Sequence, residues 1–290
     1  MGTVRGTTKA RGQKHDLDKF YTKPSVAAQC LGHLDLSAFG RIIEPSAGSG
    51  AFSNILSAAG LPLVALDLDP EDPSITKQDW FSYQVTSSAK TLVVGNPPFG
   101  KQGSLAVRFI NHAFEVVGAD TVAFILPRGF RKASTQRRIF KFATLESDIL
   151  LDPNSFLLEG VDYDLPCVFQ VWKRSPSARS DTPGPTTSTN FTFTKKSEKH
   201  DFAVRRVGGK AGHAFIDDAS TSEQSNYFVK LGSGSDVGRV ISMINGLDFS
   251  VADDGTGPRT LSKRELVALV DAGFASLPKR RTSSRSRKAP

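Results

Sequence analysis

Six short apolar runs between Arg41 and Trp172, separated by stretches with helical spacing, constrain this chain more than any other feature. They are Arg41-Ile42-Ile43, Leu63-Val64-Ala65-Leu66, Leu92-Val93-Val94, Val122 to Leu126, Ile149-Leu150-Leu151 and Val168-Phe169-Gln170-Val171-Trp172. Most are apolar throughout rather than every second residue, as a strand is when both of its faces are covered. Strands of this kind alternating with helices predict an α/β architecture: a mostly parallel sheet with helices on both faces.

The chain around this block divides by composition. Residues 1–16 are rich in Gly, Thr, Lys and Arg without apolar periodicity, and read as a flexible basic arm. Residues 17–173 hold the sheet, and 174–189, rich in Ser, Thr, Pro and Arg, read as a linker or long loop. Strand-like alternation in Phe202 to Val207, then helical spacing from Leu261 to Phe274 behind the candidate cap Ser262, predict a small mixed α+β appendage over 190–276. Residues 277–290 read as a disordered basic tail.

The net charge of +8 over 290 residues, concentrated at the two ends, favours a polyanionic partner over a neutral metabolite. Cys30 and Cys167 lack metal-ligand spacing, so no metal site is expected. No stretch reaches the roughly 18 apolar residues of a membrane span, and residues 1–16 lack a signal-peptide core, so a soluble intracellular chain with no membrane partner is expected.

Chemistry is concentrated at the strand ends. Glu44-Pro45-Ser46-Ala47-Gly48-Ser49-Gly50 is a glycine turn that brings backbone close to a ligand. A dinucleotide fingerprint would need a third glycine where Ser53 stands, and Glu44 would repel a pyrophosphate while suiting a cationic amino-acid or sulfonium group. Asp67 ends the next run about twenty residues on, where a carboxylate takes both ribose hydroxyls. Asp79 offers an acceptor to an adenine amino group, with the neighbouring aromatics able to lie against the ring. Together these describe a positively charged cofactor that contains adenosine.

The segment Asn96-Pro97-Pro98-Phe99 follows the third run. Two prolines fix the backbone and remove its N–H groups, so the Asn96 side chain and the Pro97 carbonyl form a pair of acceptors. Such a pair grips the hydrogens of an exocyclic aromatic amine and favours its pyramidal, nucleophilic form, while Phe99 supplies a face for the base. The five histidines form no constellation that would supply a general base, and none is required.

Residues 20–172 resemble the class I S-adenosylmethionine-dependent amino-methyltransferases of the N6-adenine type, with the cofactor-first motif order called gamma. The resemblance rests on Phe20-Tyr21-Thr22-Lys23-Pro24, on Glu44 to Gly50, on Asp67 and Asp79, and on Asn96-Pro97-Pro98-Phe99. It implies a Rossmann-like seven-stranded sheet and S-adenosyl-L-methionine as cofactor. It further implies cofactor binding by Tyr21, Thr22, Pro24, Glu44, Ser46, Ala47, Gly48, Gly50, Asp67, Asp79, Asn96 and either Trp80 or Phe81, with Trp80 preferred. Asn96, Pro97, Pro98 and Phe99 would then hold the target amine. The implied activity is methylation of adenine N6 in nucleic acid, DNA being favoured. RNA N6-adenosine or guanine-N2 methylation, methylation of a protein glutamine amide, and a non-catalytic nucleic-acid-binding module are the competing readings. Only about a hundred residues follow the linker, fewer than the large recognition domain of many DNA-modifying relatives. Arg128, Arg131 and Lys132, just past the fourth run, are the expected nucleic-acid contacts.

Overall fold

The computed structural model describes residues 20–85, 88–180, 182–255 and 257–276. The expected arm (1–16) and tail (277–290) lie outside the described residues. The chain divides into two compact units, one of residues up to Arg179 without Arg131–Ala133, the other of Arg131–Ala133 with Ser180 onward.

In the first unit the chain runs β1 (Tyr21–Thr22), α1 (Pro24–Leu31), β2 (Arg41–Glu44), α2 (Ser53–Ala58), β3 (Leu63–Asp67), β4 (Thr76–Lys77), β5 (Thr91–Gly95), α3 (Ser104–Glu115) and β6 (Thr121–Pro127). After a short helix α4 (Ala133–Gln136) come β7 (Ala143–Leu150), β8 (Phe156–Leu158), β9 (Val161–Tyr163) and β10 (Cys167–Arg174). Seven strands form one sheet in the order β4-β3-β2-β5-β6-β10-β7. Strands β2 to β6 pair in parallel, and β10 runs antiparallel to both of its neighbours. This order, with one reversed strand inserted next to the edge, is the Rossmann-like class I methyltransferase fold. The expected run Ile149 to Leu151 proves to overlap the end of a longer edge strand, whose exposed Glu146 and half-buried Ser147 and Asp148 hide its start from an apolar reading.

The apolar runs sort by parity. Ile42, Leu92, Val94, Ala123 and Ile125 pack on one face with Val26, Ala27 and Leu31 of α1 and Leu56 of α2. Ile43, Val93, Val122, Phe124 and Leu126 pack on the other with Ala106, Phe109, Ile110 and Ala113 of α3. Successive side chains of a strand point to opposite faces, so a run apolar at every position needs a helix layer on each side. A small second sheet, β1-β8-β9, was not foreseen from the sequence.

The second unit has an antiparallel sheet β11 (Phe191–Thr194), β14 (Asn226–Leu231), β12 (Phe202–Arg205) and β13 (Ala214–Phe215), in that spatial order. One face is covered by α5 (Val237–Asn245) and α6 (Lys263–Ser276), which contribute Val240, Ile244, Leu266 and Val270 to its core. Helix α6 begins with a capping box: the Ser262 hydroxyl accepts from the Glu265 N–H at 3.3 Å and Glu265 Oε2 accepts from the Ser262 N–H at 2.7 Å. Among the described residues no helix is long and apolar enough to cross a membrane.

Candidate functional site

The carboxyl ends of β2, β3 and β5 open into a cavity of about 340 Å³. Parallel strands end together on one edge of the sheet, so residues distant in sequence meet there. Its wall includes Tyr21 and Thr22, Glu44 to Ser49, Asp67 to Asp69, Asp79 to Phe81, and Asn96 to Phe99.

Glu44, the last residue of β2, is 2% exposed, and its Oε2 has no hydrogen-bond partner among the described residues. Burial pushes its pKa up to about 8, with the Asp67 charge adding to the shift and the Ser53 N–H and hydroxyl opposing it. Gly95, across from it at the end of β5, has φ +146°, and a Cβ there would lie 3.2 Å from Glu44 Cγ. Glycine therefore lets β5 close on the carboxyl group. In the turn after β2, Gly48 at φ +53° aims its N–H at Asp67 Oδ2, 2.8 Å away, while the Asp69 N–H donates to Oδ1 at 2.8 Å. Each carboxylate oxygen of Asp67 thus accepts one backbone N–H and keeps further acceptor capacity for a ligand hydroxyl. Asp79 Oδ1 accepts from the Phe81 N–H at 3.0 Å, which fixes the loop at the far side.

Asn96 is held by its neighbours. Its backbone carbonyl accepts from Ser46 Oγ at 3.2 Å, and its amide nitrogen donates to the Phe20 carbonyl at 3.5 Å. A carbonyl only accepts, so the amide nitrogen must face Phe20 and the oxygen is left for something else. That oxygen is buried and without a partner among the described residues, as is Thr22 Oγ1. Three unsatisfied polar atoms, on Thr22, Glu44 and Asn96, therefore belong to one cavity wall.

Most of the expected site residues line this cavity, with informative exceptions. Pro24 is the exposed first residue of α1, where a missing N–H costs nothing, and it is not part of the wall. Gly50 shapes the turn at φ +91° without lining the cavity. Trp80 touches the wall but is 1% exposed, packed among Tyr83, Phe109 and His112, whereas its neighbour Phe81 is half-buried. Arg128, Arg131 and Lys132 do not line the cavity. Arg128 Nε is buried. Within the second unit, Arg131 lies 3.7 Å from Asp254, and the Lys132 ammonium donates to Val251 O, Thr260 O and Glu265 Oε1 at 3.0 to 3.1 Å. All three hydrogens of Lys132 are thus committed inside the protein, which withdraws it as a phosphate contact.

Sequence reasoning missed Leu68, Glu71, Leu105 and Arg108 on the wall. Leu68 is 55% exposed, and a lone apolar residue set between Asp67 and Asp69 past the end of β3 was a usable signal. The Tyr21 hydroxyl donates to Glu71, and burial, together with that bond, pushes its pKa up to about 12. Nothing in the local sequence marks that pairing.

No protein-family model matches the chain, and no curated protein matches it in sequence. Among solved structures, it is similar to a candidate RNA methyltransferase from Pyrococcus horikoshii: 17% identity, 57% of this chain and 91% of that one, TM-score 0.45. It is also similar to a modification subunit of a candidate type I restriction enzyme from Vibrio vulnificus, at 14% identity and TM-score 0.39. That match covers 75% of this chain and 60% of that one, so the chain spans less than two thirds of that relative. A third is the magnesium protoporphyrin IX methyltransferase of Synechocystis with bound S-adenosylmethionine, at 12% identity, 51% of this chain, 76% of that one and TM-score 0.36.

Proposed function

We propose that this chain is an S-adenosylmethionine-dependent methyltransferase acting on the N6 amine of adenine in a polynucleotide, DNA being the preferred polymer. The observation that carries the reading is Asn96 Oδ1: a buried acceptor without a partner among the described residues, on a residue held by Ser46 and Phe20, beside Pro97 and Phe99 on the cavity wall. A buried acceptor left unsatisfied costs about 1–3 kcal/mol, which a donor arriving with the substrate repays.

The wall also fits the cofactor. Glu44 is a buried acid whose Oε2 has no partner among the described residues, which suits an ammonium; Thr22 Oγ1 is a second such group; Asp67, held by two N–H groups, keeps acceptor capacity that suits a ribose; Asp79 and half-buried Phe81 suit adenine. When bound, S-adenosylmethionine supplies an electrophilic methyl on a sulfonium centre. Asn96 Oδ1 and the Pro97 carbonyl would accept the two hydrogens of the target amine, drawing nitrogen out of conjugation so that its lone pair points at the methyl carbon. Phe99 would stack on the base, presented out of any helix. Transfer of that methyl would need no strong base from the chain, because the target nitrogen would lose its extra proton only after it is methylated.

The deciding experiment incubates the protein with methyl-labelled cofactor and separate DNA and RNA pools, then digests them to nucleosides. Label in N6-methyldeoxyadenosine is expected. Label in N2-methylguanosine would replace adenine as the target, and label in the RNA pool alone would replace DNA.

A further inference from the structure

The cavity wall carries five acids, Glu44, Asp67, Asp69, Glu71 and Asp79, and among the described residues one positively charged side chain, Arg108. An acidic wall repels a polyanion, so the position of that cation bears on where a strand can approach. Arg108 lies on α3, one turn beyond Leu105, whose N–H donates to the Phe99 carbonyl at 3.0 Å. It therefore stands close to the turn that holds the target amine. Its guanidinium carbon sits over the Phe81 ring, 4.3 Å from the centroid, and Phe81 is itself braced edge-on by Phe109 at 5.2 Å.

A guanidinium lying over a ring is attracted through its face, and its N–H donors point sideways in the plane of the group. Arg108 is exposed, and among the described residues its guanidinium has neither a hydrogen-bond nor a carboxylate partner, although Asp79 is two residues from its aromatic shelf. The ring thus holds the fork in place without using its donors. That arrangement suits a doubly coordinated phosphate better than a mobile surface arginine would, because less side-chain freedom is lost on binding.

We propose that Arg108 seats a phosphodiester group next to the target nucleotide, with Phe81 as the shelf that orients it; this rests on the polynucleotide reading above. The acids face the cationic cofactor, and Arg108 takes the anionic backbone of the substrate. A strand entering the cavity is thereby fixed in register by one phosphate, independently of the base.

The test uses the full chain, S-adenosylhomocysteine, and fluorescein-labelled single-stranded adenine-containing DNA and RNA. Anisotropy gives oligonucleotide affinity against salt, and calorimetry gives cofactor affinity for wild type, Arg108→Ala and Arg108→Lys. Arg108→Ala should weaken oligonucleotide binding about tenfold at low salt and lower the slope of log affinity against log salt by about 0.7, one phosphate contact's share for a single strand. Arg108→Lys should recover part of the affinity and all of the slope; because Arg108 shares Phe81 with the adenine end of the cavity, cofactor affinity should fall too, but by clearly less than oligonucleotide affinity. Unchanged oligonucleotide binding and slope in Arg108→Ala would overturn the assignment, as would a loss of cofactor affinity equal to the loss for the oligonucleotide. A wild-type protein that binds oligonucleotide but no cofactor would refute the methyltransferase reading while leaving Arg108 testable by the same titration.

Discussion

Two asparagines, one in each unit, show how the same side chain is used differently. Asn245, at the end of α5, donates to the Ala214 carbonyl at 3.0 Å and accepts from its N–H at 2.8 Å, so it stands in for a missing neighbour of edge strand β13. Asn96 has a weaker bond to Phe20 at 3.5 Å and leaves its oxygen buried and unsatisfied. The first uses both ends of its amide within the fold, while the second keeps an acceptor in reserve at a cavity. Asn245 is exposed, so its two bonds serve the edge strand at little desolvation cost, whereas a buried acceptor left unsatisfied is strain that a ligand can relieve.

The contrast breaks if Asn96 proves structural. Asn96→Ala is expected to lower methyl transfer about 10²–10³-fold while cofactor affinity and melting temperature hold, since only the grip on the developing charge is lost. Near wild-type turnover would remove Asn96 from the site. A smaller effect is expected from Glu44, the other reserved acceptor. Its folded pKa of about 8 lies above the ordinary 4.5, so the folded state holds the proton more tightly than the unfolded chain. The resulting stability, worth a few kcal/mol, is fully present below pH 4.5 and is lost as pH rises through about 8. Denaturant titrations at pH 5 and pH 8.5 should show that decline in wild type and a flatter profile in Glu44→Gln; parallel profiles would contradict the shift. Cofactor binding below pH 8 should also release a proton from Glu44, detectable as a buffer-dependent heat. The smallest effect belongs to Asn245→Ala, expected to destabilise the protein by about 1–2 kcal/mol in urea with kcat unchanged, because it strips two partners from an edge strand. A fall in kcat greater than the fall in folded fraction would erase the distinction between the two asparagines.

Much of the first unit was legible because burial writes a period into the sequence. Ile42 and Ile43, adjacent and both apolar, already required a helix layer on each face of β2. Ser262 and Glu265 announced the start of α6, since a capping box is a local bond between residues three apart. The reversed strand β10 was not legible, because an apolar run looks the same in either direction. Nor was the β1-β8-β9 sheet, whose pairing of Thr22 with Phe156 spans more than a hundred residues.

By itself, then, the sequence determined the layers of the sheet and which acceptor side chains stand at its strand ends, from Glu44 through Asp67 and Asp79 to Asn96, because each follows from local spacing and residue type. Only the tertiary structure decided which neighbours face the cavity. It packed Trp80 into the core and left Phe81 at the wall, tied Lys132 inside the second unit, and brought Arg108 from α3 onto Phe81. Loops have no period to fix their direction, and a charge finds its partner across distances in sequence that no local pattern encodes.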